Sequence, residues 1–299
     1  MRSLHLLILY LVFFLSAFAQ TDTLKVEPTM GHVVGEDFIP ATLIEPAPPI
    51  APDYTEHRWL FGIGAQNILD TYISPFEYKG VSHGTFHRSA RPARWGRRRW
   101  QTIMQMCTNF SYDHSPTEDG KELYLQLTIG GGFVCNWKPS QRLRFFAGGL
   151  LEAGAGFTYN TRGSNNPAQG RFDIDLTATG GVEYNFTLFN SEMKARGQID
   201  LPLIGAMFSP QYGQSYYEIF SLGHYNKNIR FISPFNAPSV RLLCTLDFPI
   251  SRATISVGYH ADIRQAHVNG LKRHAWSNQI VVGFVRHVKK IKHAKRKLE

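Results

Sequence analysis

From about Trp59 to Val288 the chain alternates polar and apolar residues with a period of two, and one run shows it most clearly. Between Arg171 and Leu188 the odd positions include Asp173, Asp175, Thr177, Thr179, Glu183, Asn185 and Thr187. The even positions include Phe172, Ile174, Leu176, Ala178, Val182, Tyr184, Phe186 and Leu188. Alternate side chains of an extended strand point to opposite faces, so one face is oily and the other ionisable. Strands of ordinary soluble sheets run to about five or six residues, far shorter than this one. Long strands with an apolar outside and a polar inside describe an all-β fold, a single antiparallel transmembrane β-barrel with a charged lumen.

The N-terminus agrees with that destination. Arg2, an apolar run from Leu6 to Leu15 and the small-x-small site Ala17-Phe18-Ala19 have the form of a secretory signal over residues 1–19, cleaved before Gln20. The run is shorter than the about 20 residues of a spanning helix. Residues 20–56 are rich in proline and read as a periplasmic linker, or as a plug folded back into the lumen. Residues 57–288 form the barrel and 289–299 a basic tail. Of the net charge of +9, Arg2 accounts for one, six arginines lie between Arg88 and Arg99, and the tail carries +5, leaving −3 for the rest. The basic balance therefore comes from two patches. On a secreted chain these suit anionic lipid head groups or envelope polymer, and not nucleic acid. Cys107, Cys135 and Cys244 make no disulfide framework, and the last two are expected to face lipid. No CxxC, HExxH or phosphate-binding glycine loop occurs, so no cofactor or metal is expected; His83, His87 and His260 have no metal-ligand spacing.

Ten strands fit the pattern best, with eight or twelve as alternatives. Tight connections are expected at Asn136–Gln141, Asn190–Met193 and Phe248–Arg252. Longer loops are expected at Asp113–Gly120, Asn160–Gly170, Ser209–Ala237 and Ala266–Lys272. That alternation of short periplasmic turns with long outer loops is the barrel signature, and it puts both termini and the basic Arg91–Arg99 turn in the periplasm. A barrel this narrow fills its interior with side chains. By parity the lumen receives Arg144, Glu152, Arg171, Asp173, Asp175, Glu183, Lys194, Arg196, Asp200, Arg241, Asp247, His260, Asp262 and Arg264. Mixed charges buried there must pair, so a plugging salt-bridge network is expected ahead of an open pore.

Four segments, DTYISPFEYKG (70–80), NNPAQ (165–169), FSPQYGQSYYEIFSLG (208–223) and VNGLKRH (268–274), resemble a family of secreted outer-membrane β-barrels of gut-type Bacteroidota, known as a domain of unknown function. The resemblance spans roughly Trp59 to Val288. It implies an envelope barrel, with outer-membrane lipid and the barrel assembly machinery as partners, and leaves the chemistry open. Many outer-membrane barrels end on an aromatic residue; here Gly283-Phe284-Val285 is followed by Arg286, His287 and the basic tail.

Two kinds of function follow. One is a structural or interaction barrel that binds envelope polymer or an extracellular ligand through the longest loop, at Tyr212, Gln214, Tyr216, Tyr217 and Glu218. The other is a rim-active hydrolase or acyltransferase on envelope lipid. That chemistry needs a hydroxyl, an imidazole and a group that orients it. Ser256, His260 and Asp262 share one strand face, and Ser215 and His224 lie in the loop with Glu218. Neighbours on a strand face are about 6.6–6.8 Å apart, which permits a His–Asp contact without requiring one. The non-enzyme reading is favoured, because any charged lumen gives chance neighbours of these types.

Overall fold

The alternating residues do form long strands. The computed structural model describes residues 52–95, 99–117, 119–162, 167–250 and 253–288. Its elements are β1 (Thr55–Asp70), β2 (Tyr78–Pro92), β3 (Trp100–His114), β4 (Lys121–Trp137), β5 (Leu143–Asn160), β6 (Ala168–Leu188), β7 (Ser191–Phe208), α1 (Tyr216–Phe220), β8 (Ile229–Ile232), β9 (Val240–Ile250), β10 (Ala253–Val268) and β11 (Leu271–Val288). Each strand of the wall pairs antiparallel with its neighbours, and β1 pairs with β11 from Thr55↔Val288 to Asp70↔Arg273. With β6 paired to β7, this closes a ten-stranded antiparallel barrel. β8 is extra to the ring and pairs with β7 alone.

The parity of the sequence decides which side each residue takes. Phe61, Ile63, Met104, Ile129, Leu151, Phe172, Ile174 and Leu176 are exposed on the outside, while Arg58, Gln105, Glu152, Glu183, Asp200 and Asp247 are buried within. Cys135 and Cys244 lie on the outer side, and Cys107 is buried inside. The interior is not purely ionic. Leu60, Phe86, Cys107, Leu243 and Val281 form one apolar cluster, and Ala90, Ile103, Val134, Phe146 and Leu150 another.

Loops and turns segregate to opposite ends. The strand ends flanking 71–77, 115–120, 161–167 and 209–239 lie at one end of the barrel; those flanking 93–99, 138–142 and 189–190, with both ends of the described chain, lie at the other. The Ala266–Lys272 loop is a correction. β10 and β11 run on until Val268 faces Leu271, leaving Asn269 and Gly270 as a two-residue turn. Their φ values of 54° and 75° are those of a primed hairpin turn, for which Asn-Gly is the preferred pair. The 209–239 connection is also not plain loop, since it holds α1 and β8. The 1–19 signal, nearly all of the 20–56 linker and the 289–299 tail lie outside the described residues. β1 begins two residues before the expected boundary at 57, which brings Glu56 into the lumen.

Candidate functional site

Toward the turn end, Arg58 is the centre of the lumen. It comes from β1, has no exposed surface, and reaches Asp247 of β9 by two parallel bonds, Nη1 to Oδ1 at 2.7 Å and Nη2 to Oδ2 at 2.7 Å. It also donates to Ser256 Oγ at 2.9 Å and Thr245 Oγ1 at 3.2 Å, and lies 3.4 Å from Glu56. Beside it, Arg144 and Arg196 both donate to Glu183, and Lys194 bridges Glu183 and Glu56 at 3.7 and 3.8 Å. Phe146 fills the space between Arg88 and Arg196, whose guanidinium carbons lie 5.1 and 4.7 Å from its ring. Cation–aromatic contacts of this kind let arginines occupy a dry interior without a carboxylate each.

Midway up, Arg241 donates to Glu152 at 2.5 Å and approaches Asp200 at 3.7 Å. Gln105 and Thr179 donate to Asp200 at 2.7 and 2.6 Å, and Thr177 donates to Glu152 at 2.7 Å. Toward the loop end, Arg264 holds Asp262 at 3.0 Å and donates to Thr128 at 2.8 Å. Arg171 pairs with Asp70 at 3.1 Å and lies over the Tyr124 ring. Asp173 and Asp175 line a cavity of about 60 Å³ together with Arg264 and Arg273, a space for a few waters. On its wall, Asp175 Oδ1, Glu152 Oε1 and Arg273 Nη1 have no hydrogen-bond partner among the described residues.

In the lumen, Ser256, His260 and Asp262 each belong to a different set of contacts. Ser256 Oγ donates to Asp247 at 2.7 Å and accepts from Arg58, so it belongs to the ion-pair cluster. His260 is buried, tilted against Phe86 at 5.8 Å, and its Nε2 has no partner among the described residues. Asp262 is engaged by Arg264 through both carboxylate oxygens. Ser215 and Glu218 do meet, but as a helix cap: the Ser215 hydroxyl accepts from Glu218 N at 3.2 Å, and Glu218 accepts from Ser215 N at 2.7 Å. That reciprocal pattern satisfies the free N–H groups of α1. These bonds from Ser215 hold the Glu218 carboxyl below its ordinary range. The exposed His224 follows α1 directly, where its backbone N donates to Glu218 O at 3.0 Å, and it lies close enough to add to the lowering of the Glu218 carboxyl. His83 and His87 are on the outer side, away from His260, and no cluster of metal-binding side chains occurs among the described residues.

The long loop instead forms a cap tied down on three sides. Tyr72 donates to Gln214 O at 2.9 Å, Gly170 N donates to Tyr216 Oη at 2.6 Å, and Asn269 Nδ2 donates to Ser209 O and Lys227 O, both at 2.9 Å. Gln214 joins the loop internally by donating to His224 O and accepting from Asn228, each at 2.8 Å. Tyr72 and Tyr216 meet edge to face with centroids 5.9 Å apart. Burial pushes the Tyr72 phenol up to about 12 and also raises that of Tyr216. Of the five loop residues singled out in the sequence, Gln214, Tyr216 and Glu218 thus build the cap, while Tyr212 and Tyr217 remain exposed. Sequence reading missed Arg58, Glu56, Asp70 and Arg88, while Gln105 was expected inside and is buried there. Arg58 had a signal, since it shares the parity of Leu60 and Gln66 on β1.

The family model described as "Protein of unknown function (DUF3316)" matches residues 4–295, and the chain belongs to that family. No curated protein matches it. Among solved structures it is similar to Neisserial surface protein A, with TM-score 0.35 at 10% identity over 80% of this chain and 98% of that one. It is similar to Ail, the attachment invasion locus protein of Yersinia pestis, with TM-score 0.32 at 9% identity over 77% and 98%. It is also similar to the translocator domain of the autotransporter NalP from Neisseria meningitidis, with TM-score 0.35 at 10% identity over 77% and 88%.

Proposed function

We propose that this member of the DUF3316 family is an outer-membrane barrel with a structural or envelope-interaction role, exerted at its loop-end cap and not through the lumen. The observation that carries this is the inverted polarity of the wall. Its outside is a continuous coat of large apolar side chains, and its inside holds paired charges. Such a coat is far larger than the apolar patches that soluble monomers leave in water. Tyr112, Tyr159 and Phe172 toward the loop end, with Trp100, Trp137 and Tyr184 toward the turn end, have the placement of the two aromatic girdles of a membrane barrel.

Among the described residues, Arg58–Asp247 and, beside it, Arg196–Glu183 hold the lumen toward the turn end, Arg241–Glu152 crosses it midway up, and the apolar clusters around Phe86 and Phe146 fill space between, which supports a plugged interior. A secretory leader over residues 1–19, envelope polymer or an extracellular ligand as the partner, and delivery by the barrel assembly machinery complete this reading. Membrane fractionation with gel mobility before and after boiling tests it. Sedimentation with the outer membrane and a mobility shift on boiling are expected; a protein recovered in the soluble fraction with unchanged mobility refutes it. In planar bilayers the folded protein should show no unitary conductance, and steady ohmic steps would refute the plugged lumen.

A further inference from the structure

The ring of strands has one seam, between β7 and β9. β9 pairs with β7 over Lys194–Asp200, and β8 takes the same edge of β7 higher up, over Gly205–Phe208. Between these stretches Leu201–Ile204 pairs only on its β6 side, where the register shifts at Leu176/Thr177. The chain crosses the interval through residues 233–239, longer than the four residues it has to span. The excess forms a built turn. Ser233 N donates to Asn236 Oδ1 at 2.8 Å, Ala237 N to Ser233 O at 2.8 Å, and Asn236 Nδ2 to Phe231 O at 3.0 Å.

On the inner side of this seam Met207, Ile232, Ala237, Ala266 and Val268 cluster, and Met207, Ile232 and Ala237 also line the cavity in the lumen. Pro234 and Phe235 at the tip of the turn therefore project outward, and Phe235 is 98% exposed. β8 adds to the same surface. Directly opposed residues of an antiparallel pair put their side chains on one face. Ile229 is opposed to Phe208 and Phe231 to Ala206, while Ala206 is itself opposed to the outward Ile174 of β6. Ile229 and Phe231 therefore continue the outer face of the wall, 70% and 64% exposed. Phe220 of α1 stacks on Phe208 with centroids 6.3 Å apart and joins that face to the cap.

We propose that the stretch from Phe220 to Phe235 is a lipid-embedded shelf, with acyl chains of the surrounding leaflet covering it. Lipid is the occupant because the shelf shares one unbroken face with the lipid-facing row Ile174, Ile204 and Phe208. The exposed Lys227 in the same stretch supplies positive charge for anionic head groups at the edge of the hydrocarbon. The cap is thus held by the bilayer on this side, and its open face for other molecules is the side that carries Tyr212. This inference rests on the membrane-barrel reading above, so its test carries a control for that reading.

Single cysteines are placed at Phe235, at Leu151 in the middle of the outer coat, and at Tyr212, in full-length protein with Cys107, Cys135 and Cys244 replaced by alanine. The proteins are spin-labelled and reconstituted into phosphatidylethanolamine–phosphatidylglycerol vesicles. Collision with oxygen is compared with collision with a water-soluble nickel chelate, and boiling-dependent gel mobility confirms that each variant is folded. The oxygen-to-nickel ratio at Phe235→Cys is expected to match that at Leu151→Cys and to exceed that at Tyr212→Cys several-fold. A nickel-accessible label at Phe235 beside a protected one at Leu151 overturns the shelf alone; a nickel-accessible label at Leu151 overturns the membrane reading. Phe231→Cys gives the same reading should the turn not tolerate substitution at Phe235.

Discussion

Replacing Arg58 by methionine keeps most of the side-chain volume and removes the charge from the most connected ion-pair cluster in the lumen. Asp247 then loses both bonds of its bidentate pair, 2.7 Å each, and keeps only the Ser256 hydroxyl at 2.7 Å. Breaking a fully buried pair by removing one partner costs about 3–5 kcal/mol, because the remaining charge is left uncompensated. The bidentate geometry favours the upper part of that range, while Glu56 keeps Lys194 at 3.8 Å and Arg196 at 3.9 Å, which limits the damage to one acid. A loss of about 4 kcal/mol is therefore expected for Arg58→Met. In Arg58→Met/Asp247→Leu neither charge is left unpaired, and only hydroxyl bonds worth about 1 kcal/mol each are missing, so most of the loss should be recovered. Urea titration in detergent micelles, read by tryptophan emission and by the fraction of the fast-migrating folded band, gives both values and their coupling. A single substitution costing less than about 1 kcal/mol would mean that the pair behaves like an exposed one in a wet lumen, and the plugged interior would have to be abandoned.

Four further outcomes are expected. Asn269→Ala removes the donor to Ser209 O and Lys227 O, so trypsin should cut at Lys227 sooner while the barrel's gel mobility stays unchanged. The Tyr72 phenol lies at about 12 in the folded protein against an ordinary value of 10.0, so its contribution to cap stability is complete below pH 10.0 and is lost as pH rises through that interval. The phenolate absorbance of wild type minus Tyr72→Phe should therefore rise near pH 12, and a rise centred on the ordinary tyrosine value would show Tyr72 to be solvated. His260→Ala should leave the envelope-lipid profile of a complemented deletion strain identical to that with wild type; a changed profile would restore the rim hydrolase. Phe235→Asp puts a charge in hydrocarbon and should lower the yield of folded protein in vesicles more than Tyr212→Asp does, with equal yields counting against the shelf.

The wall was legible in the sequence because strand parity is a local property. The run from Arg171 to Leu188 specifies its two faces without reference to any neighbour, and those faces are the ones observed. Partners were not legible, because pairing depends on which strands meet after closure. Arg144 and Glu183 could be placed in the lumen, but nothing near Arg58 in the chain points to Asp247. The Ala266–Lys272 stretch was read as a loop on its mixed composition, although Asn269-Gly270 is a hairpin signal strong enough to carry both strands to the tip. The cap was partly readable, since Ser215 and Glu218 have capping-box spacing before Ile219. The seam was hidden: Pro202, Pro234 and Pro238 mark where pairing fails, but only the assembled sheet shows that their interruptions face one another.

The Arg58–Asp247 bond joins residues 189 apart in the chain, and Arg241–Glu152 joins residues 89 apart. In a half-zipped sheet, with β1 not yet beside β11, Arg58 would lie on an open border with Asp247 far along the sheet on β9. For Arg58 and Asp247, ring closure and charge neutralisation are therefore one step, whereas Arg144 and Arg196 meet Glu183 on neighbouring strands. On the proposed membrane reading, Arg58 and Asp247 have to meet before either is left in hydrocarbon, so the future interior stays wet until the ends of the ring join.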